Sequence, residues 1–106
     1  MYARRVSMKL KPNSTVEFTQ RLEKDVIPML RKQSGFKDEI TFVGPGGTDA
    51  FGLSLWDNKQ NAEAYDRAHY AEVTKILEKV VDGIPRVETY EVTNSTFHKI
   101  AASATA

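Results

Sequence analysis

FKDEITFVGPGGTDAFGLSLW, Phe36 to Trp56, reads as two strands joined by a glycine loop. Phe36, Ile40 and Phe42 recur with the period of a strand. From Ala50 to Trp56, Phe51, Leu53 and Leu55 fall on one face, and Gly52 and Ser54 fall with Trp56 on the other. Gly44-Pro45-Gly46-Gly47 supplies the turn, so the pair is expected to be a hairpin. This loop resembles a phosphate loop only in its glycine content. It has no Lys-Ser/Thr ending and no helix directly behind it, so nucleotide binding is not expected.

Toward the N-terminus, Tyr2, Val6, Met8 and Leu10 alternate with Arg5, Ser7, Lys9 and Lys11, the pattern of a half-buried strand from Tyr2 to Leu10. Lys11-Pro12-Asn13 stops it. Ser14-Thr15-Val16-Glu17 has the form of a capping box and opens a helix expected to reach about Gln33, with Phe18, Leu22, Val26, Met29 and Leu30 as its apolar stripe. Pro28 removes a backbone donor inside that stripe and crowds the preceding turn, so a kink is expected near Val26. Gly35 then ends the helix.

Toward the C-terminus, Asp57 or Asn58 can cap a second helix running to about Val81 and closed by Asp82-Gly83. Pro85 leads a last strand from Arg86 to about Phe97, with Val87, Tyr90 and Val92. The order is strand, helix, strand, strand, helix, strand. It predicts an α+β, ferredoxin-like βαββαβ domain over residues 1–100, a four-stranded antiparallel sheet with two helices on one face. Residues 101–106, AASATA, have nothing to bury and are expected to form a mobile tail. Helices on one face leave the other uncovered. Its mixture of Thr41, Val43, Thr89 and Arg5, or of Ser54 and Trp56, is not plainly a solvent surface, so a second sheet is the expected cover and a homodimer the expected state.

With 106 residues the chain is expected to form one domain. Fifteen basic and 14 acidic residues leave a formal charge of +1, with no electrostatic footprint for nucleic acid or an anionic membrane. No stretch approaches a membrane span, and MYARRVSMKL lacks the apolar run of a signal peptide. Cysteine is absent, which removes disulfides, thiolate nucleophiles and cysteine metal sites and is compatible with a reducing cytosol. A cytoplasmic protein is therefore expected.

Neither His69 nor His98 has a second histidine or a cysteine at ligand spacing, so no metal site is expected. Chemistry is sought on the second helix, whose apolar face is set by Ala62, Tyr65, Val73, Ile76 and Val80, with His69 near its middle. Tyr65 and His69 are four residues apart and therefore neighbours. An imidazole held neutral by apolar surroundings can accept a proton, which makes His69 a candidate base and Tyr65 its catalytic companion. The competing reading is a core histidine tied to a carbonyl or to Tyr65. Trp56 is a candidate wall or lid over a substrate cavity, or simply a packing residue. Asp66 borders the apolar face and could reach a cavity rim to bind substrate. His98 is expected to be exposed.

Lys11-Pro12, Ile27-Pro28-Met29-Leu30-Arg31 before Gly35-Phe36, Ser54-Leu55-Trp56-Asp57-Asn58 and Gly83-Ile84-Pro85-Arg86-Val87 leading into Tyr90-Glu91-Val92 resemble the antibiotic biosynthesis monooxygenase-like superfamily of dimeric α/β barrels. The likeness covers nearly the whole chain. It implies a homodimer and a cofactor-free oxygenase acting on a phenol- or quinol-like aromatic; from the local chemistry, His69 would take a proton, Tyr65 would hydrogen-bond the substrate and Trp56 would wall the site. The same resemblance also admits a non-catalytic small-ligand carrier or stress-associated dimer. Positions that the haem-degrading branch fills with Asn, Trp and His are Val6, Tyr65 and Lys75 here, so haem degradation is disfavoured. The oxygenase branch carries an Asn four residues before its strand Trp, where this chain has Gly52.

Overall fold

A computed structural model describes residues 1–100; the tail expected over 101–106 lies outside the described residues. The elements in order are β1 (Tyr2–Leu10), α1 (Thr15–Arg21), a π-helical stretch (Leu22–Val26), α2 (Ile27–Arg31), β2 (Phe36–Val43), β3 (Asp49–Trp56), α3 (Lys59–Leu77) and β4 (Val81–Glu91). The strands form one antiparallel sheet in the order β2-β3-β1-β4. This is the ferredoxin-like arrangement, with the two helical segments on one face. Among the described residues, no helix is long and apolar enough to cross a membrane.

Pro28 has its effect where its missing N–H and its ring predict, but as a widened turn. The Ile27 N–H reaches back five residues to the Leu22 carbonyl, which relieves the crowding a regular turn would create ahead of Pro28. Phe18, Val26 and Leu30 still face the core. The expected capping box does not form: Ser14 precedes α1, yet its hydroxyl reaches only toward the Pro12 carbonyl, at 3.5 Å. Asn58 does cap α3, its Oδ1 accepting from the Asn61 N–H at 2.9 Å.

The second helix ends at Leu77, earlier than Val81, and Asp82-Gly83 lies inside β4 rather than behind a helix. Gly83 has φ +79°, and the register of β4 against β1 shifts between Ser7 and Lys9. The glycine therefore serves a bulge in the strand, not a helix cap.

The register also corrects the facing of the hairpin. Val6 pairs with Gly52 and Gly52 with Thr41, so Gly52, Ser54, Trp56, Glu39, Thr41 and Val43 look toward the helices. Phe51, Leu53, Ile40 and Phe42 look the other way. Phe42 stacks on Phe51 with ring centroids 4.7 Å apart, and the Arg5 guanidinium lies 4.5 Å from the Phe51 ring. The open face is therefore the more apolar of the two for β2 and β3, because the helix side gives up bulk there to leave a cavity. At one end of the open face His98 bonds the Asp38 carboxylate, so His98 is half-buried rather than simply exposed.

Candidate functional site

Arg4 occupies an even position of β1, in phase with Tyr2, Val6, Met8 and Leu10. It points into the space beneath the helices and is only 4% exposed. A buried guanidinium needs partners. It donates from Nη2 to Asp66 Oδ1 at 2.6 Å and lies 4.6 Å from the Tyr70 ring and 5.2 Å from the Tyr65 ring. Asp66 and Tyr70 are one helical turn apart on α3, which is why one helix face supplies both the carboxylate and an aromatic face.

Two strands away, Glu39 enters from β2. Thr41 Oγ1 donates to its Oε2 at 2.7 Å, and the carboxylate lies over Gly52 of β3: a Cβ at residue 52 would stand 2.9 Å from that oxygen. Burial pushes the Glu39 carboxyl above its ordinary range, partly opposed by the Thr41 hydrogen bond. Glu39 pairs with Ser54, and Ser54 pairs with Arg4, so acid and base approach from either side of β3.

Between these groups, the sheet and the helices flank a half-open cavity of about 540 Å³. Arg4, Glu39, Thr41, Ser54, Tyr65 and Tyr70 supply its polar points, and Val6, Met8, Phe18, Leu22, Val26, Leu30, Val73 and Leu77 its apolar walls. Burial pushes the Tyr65 hydroxyl up to about 12 against the opposing charge of Arg4, and raises Tyr70 for the same reason. Both phenols are therefore donors near neutrality. Among the described residues no group of three or more His, Cys, Asp or Glu side chains could hold a metal ion.

The four residues singled out in the sequence occupy different positions around this cavity. Tyr65 lines it. Trp56 is fully buried beside it, its Nε1 donating to Ser54 Oγ at 2.9 Å; Tyr65, stacked on the indole at 5.1 Å, presents the cavity surface instead. Asp66 is half-exposed and engaged by Arg4. His69 stacks beyond Tyr65 at 6.5 Å, remains 36% exposed with Nδ1 4.0 Å from Glu72, and is not among the residues that line the cavity. Helical phase alone put it on the buried face, but its ring reaches only the outer end of the stack. Arg4 and Glu39 were not singled out. For Arg4 a signal existed, a charge in phase with Tyr2, Val6, Met8 and Leu10, whereas Glu39 alternates with Ile40 and Phe42 and its inward facing follows only from the register.

No family model matches the chain, and no curated protein matches it. Solved structures do. A monooxygenase from the ActVA-Orf6 gene of Streptomyces coelicolor, in complex with nanaomycin D, superposes with TM-score 0.72 at 17% identity over 92% of each chain. A Bordetella bronchiseptica protein provisionally assigned as an antibiotic biosynthesis monooxygenase gives TM-score 0.74 at 12% identity, over 88% of this chain and 97% of its own. A Nitrosomonas europaea protein of unknown function gives 0.73 at 14% identity, over 90% of this chain and 91% of its own. The chain thus shares the ferredoxin-like fold of these solved structures.

Proposed function

We propose that the cavity binds a small electron-rich aromatic of the phenol or quinol class. In this reading the protein, as a cytoplasmic homodimer, oxygenates that substrate with molecular oxygen and no cofactor. The observation that carries the reading is the cavity itself: apolar walls sized for a small aromatic, with a guanidinium, a carboxyl of raised proton affinity and two phenol donors at its polar points. The monooxygenase of the same fold that holds nanaomycin D supports the substrate class.

The chemistry needs nothing beyond substrate and oxygen. A phenol that loses its O–H proton becomes an anion able to reduce O₂. One oxygen atom bonds to a ring carbon, that carbon's hydrogen and the proton first taken from the O–H leave with the second oxygen as water, and the phenol becomes a quinone. The substrate supplies all the electrons. Tyr65, kept protonated by burial, donates to the anion, and the buried Arg4 guanidinium stabilises its charge.

Oxygen uptake by the purified protein with a panel of quinols and anthrones, alongside thermal shift with the same compounds, tests this reading. Ligands that bind should raise Tm. At least one should consume oxygen in equal amount to the quinone formed, and His69→Ala should keep the rate within about twofold, because His69 does not line the cavity. Binding without any oxygen uptake would instead establish a small-ligand carrier. The outlying positions of His69, the candidate base, and of Trp56, expected to wall the site, favour that second reading.

A further inference from the structure

We propose that Glu39 is the group that takes the substrate's proton, and that Gly52 and Thr41 seat its carboxylate for that task. This rests on the reading that the cavity accepts a phenol.

Among the ionisable groups that line the cavity, Glu39 is the carboxylate set within it; Glu78 caps the C-terminal end of α3 and is exposed, and Lys75 is exposed too. Asp66 is committed to Arg4. Tyr65 and Tyr70 hold their protons too tightly to accept another group's. Glu39 differs from all of these. One of its oxygens accepts from Thr41 Oγ1, which fixes the carboxylate and leaves the second oxygen for a ligand. Any side chain at residue 52 would contest the space it occupies, since even a Cβ there would come within 2.9 Å of Oε2. Among the described residues it forms no ion pair with Arg4, so the guanidinium remains available to the anion that Glu39 would create.

In the transfer, the phenol O–H bond breaks and a new O–H forms on the Glu39 carboxylate, so charge moves from protein to substrate with none lost. Burial raises the proton affinity of the carboxyl toward that of a phenol, which narrows the uphill part of the step. The anion is left between Arg4 and the Tyr65 hydroxyl.

The test uses 4-nitrophenol, which is largely ionised in mildly alkaline solution. If Glu39 and the bound phenol oxygen share one proton, binding the phenolate must draw about one proton per site from the buffer. Calorimetric titration in buffers of different ionisation enthalpy reads that uptake without requiring turnover. The wild type should take up this proton and Glu39→Gln none, at comparable affinity. Gly52→Ala, which pushes the carboxylate from its seat, should take up less. In oxygen uptake with a quinol, Glu39→Gln should lose about a hundredfold or more and Glu39→Asp should recover part of it. Equal proton uptake in wild type and Glu39→Gln, or an unchanged rate in that variant, overturns the assignment. A wild type that binds nitrophenol with proton uptake but consumes no oxygen supports Glu39 as acceptor while removing the oxygenase reading. If no phenol binds at all, the cavity reading fails and takes this proposal with it.

Discussion

Tyr65 ties the site to the core: it lines the cavity, stacks on Trp56 and lies against Arg4. Its raised proton affinity has a measurable cost in stability. The unfolded chain's tyrosine ionises near 10, whereas the folded hydroxyl holds its proton to about 12, chiefly because burial disfavours the phenolate. Below 10 both states are protonated and Tyr65's contribution is complete; between 10 and about 12 only the unfolded state gives up its proton, so stability falls as pH rises. The stability of wild type relative to Tyr65→Phe should therefore drop by about 2–3 kcal/mol across that window, measured by urea unfolding at each pH. A difference that stays level would contradict the burial of this hydroxyl.

At the scale of elements, the sharpest constraint lies where α2 gives way to β2. Gly35 has φ +76°, and a Cβ there would come within 2.1 Å of the Asn61 side chain on α3. Its carbonyl also accepts from the Asp57 N–H at 2.8 Å, so this one residue joins the exit of the first helical segment to the entrance of α3. Gly35→Ala should cost about 1–3 kcal/mol in unfolding free energy, combining backbone strain with the clash. Asn61→Ala removes the Cγ and Nδ2 contacts but keeps its Cβ, 2.8 Å from the new methyl, so it should give back part of the steric cost and none of the strain, and the double variant should be more stable than the sum of the singles. Strict additivity would mean the two residues do not meet. The first helical segment ends at Arg31, ahead of the stop expected at Gly35; what was legible at Gly35 is its left-handed backbone, a local need, while its close approach to Asn61 was not. Nor was the end of α3, because Val80 and Val81 continue the apolar pattern while belonging to the turn and the strand that follow.

For the whole molecule, the open sheet face is the element without an evident partner. Ile40 is 36% exposed, Phe42 45% and Tyr90 46%, beside the Phe42–Phe51 stack. Such a patch on a single sheet is a natural seat for a second copy, which is the basis of the proposed homodimer. Sedimentation should show a dimer for the wild type and a folded monomer for Phe42→Glu, with circular dichroism unchanged. A monomeric wild type would remove the dimer from the proposal. The expected mixed polar surface of Thr41, Val43, Ser54 and Trp56 turned out to face the helices; alternation gives two faces to every strand, but not which of them is inside.

Local chemistry written along the chain determined the order of elements and the antiparallel hairpin. Periodicity and turn residues act over a few positions and can be read there. Tertiary structure decided the facing of β2 and β3, the withdrawal of Trp56 and His69 from the cavity wall, and the meeting of Arg4 from β1 with Asp66 from α3. It also set Glu39 over Gly52. The physical reason is that these are cross-strand and helix-on-sheet relations, set by register and packing between residues far apart in sequence, and no single segment carries them.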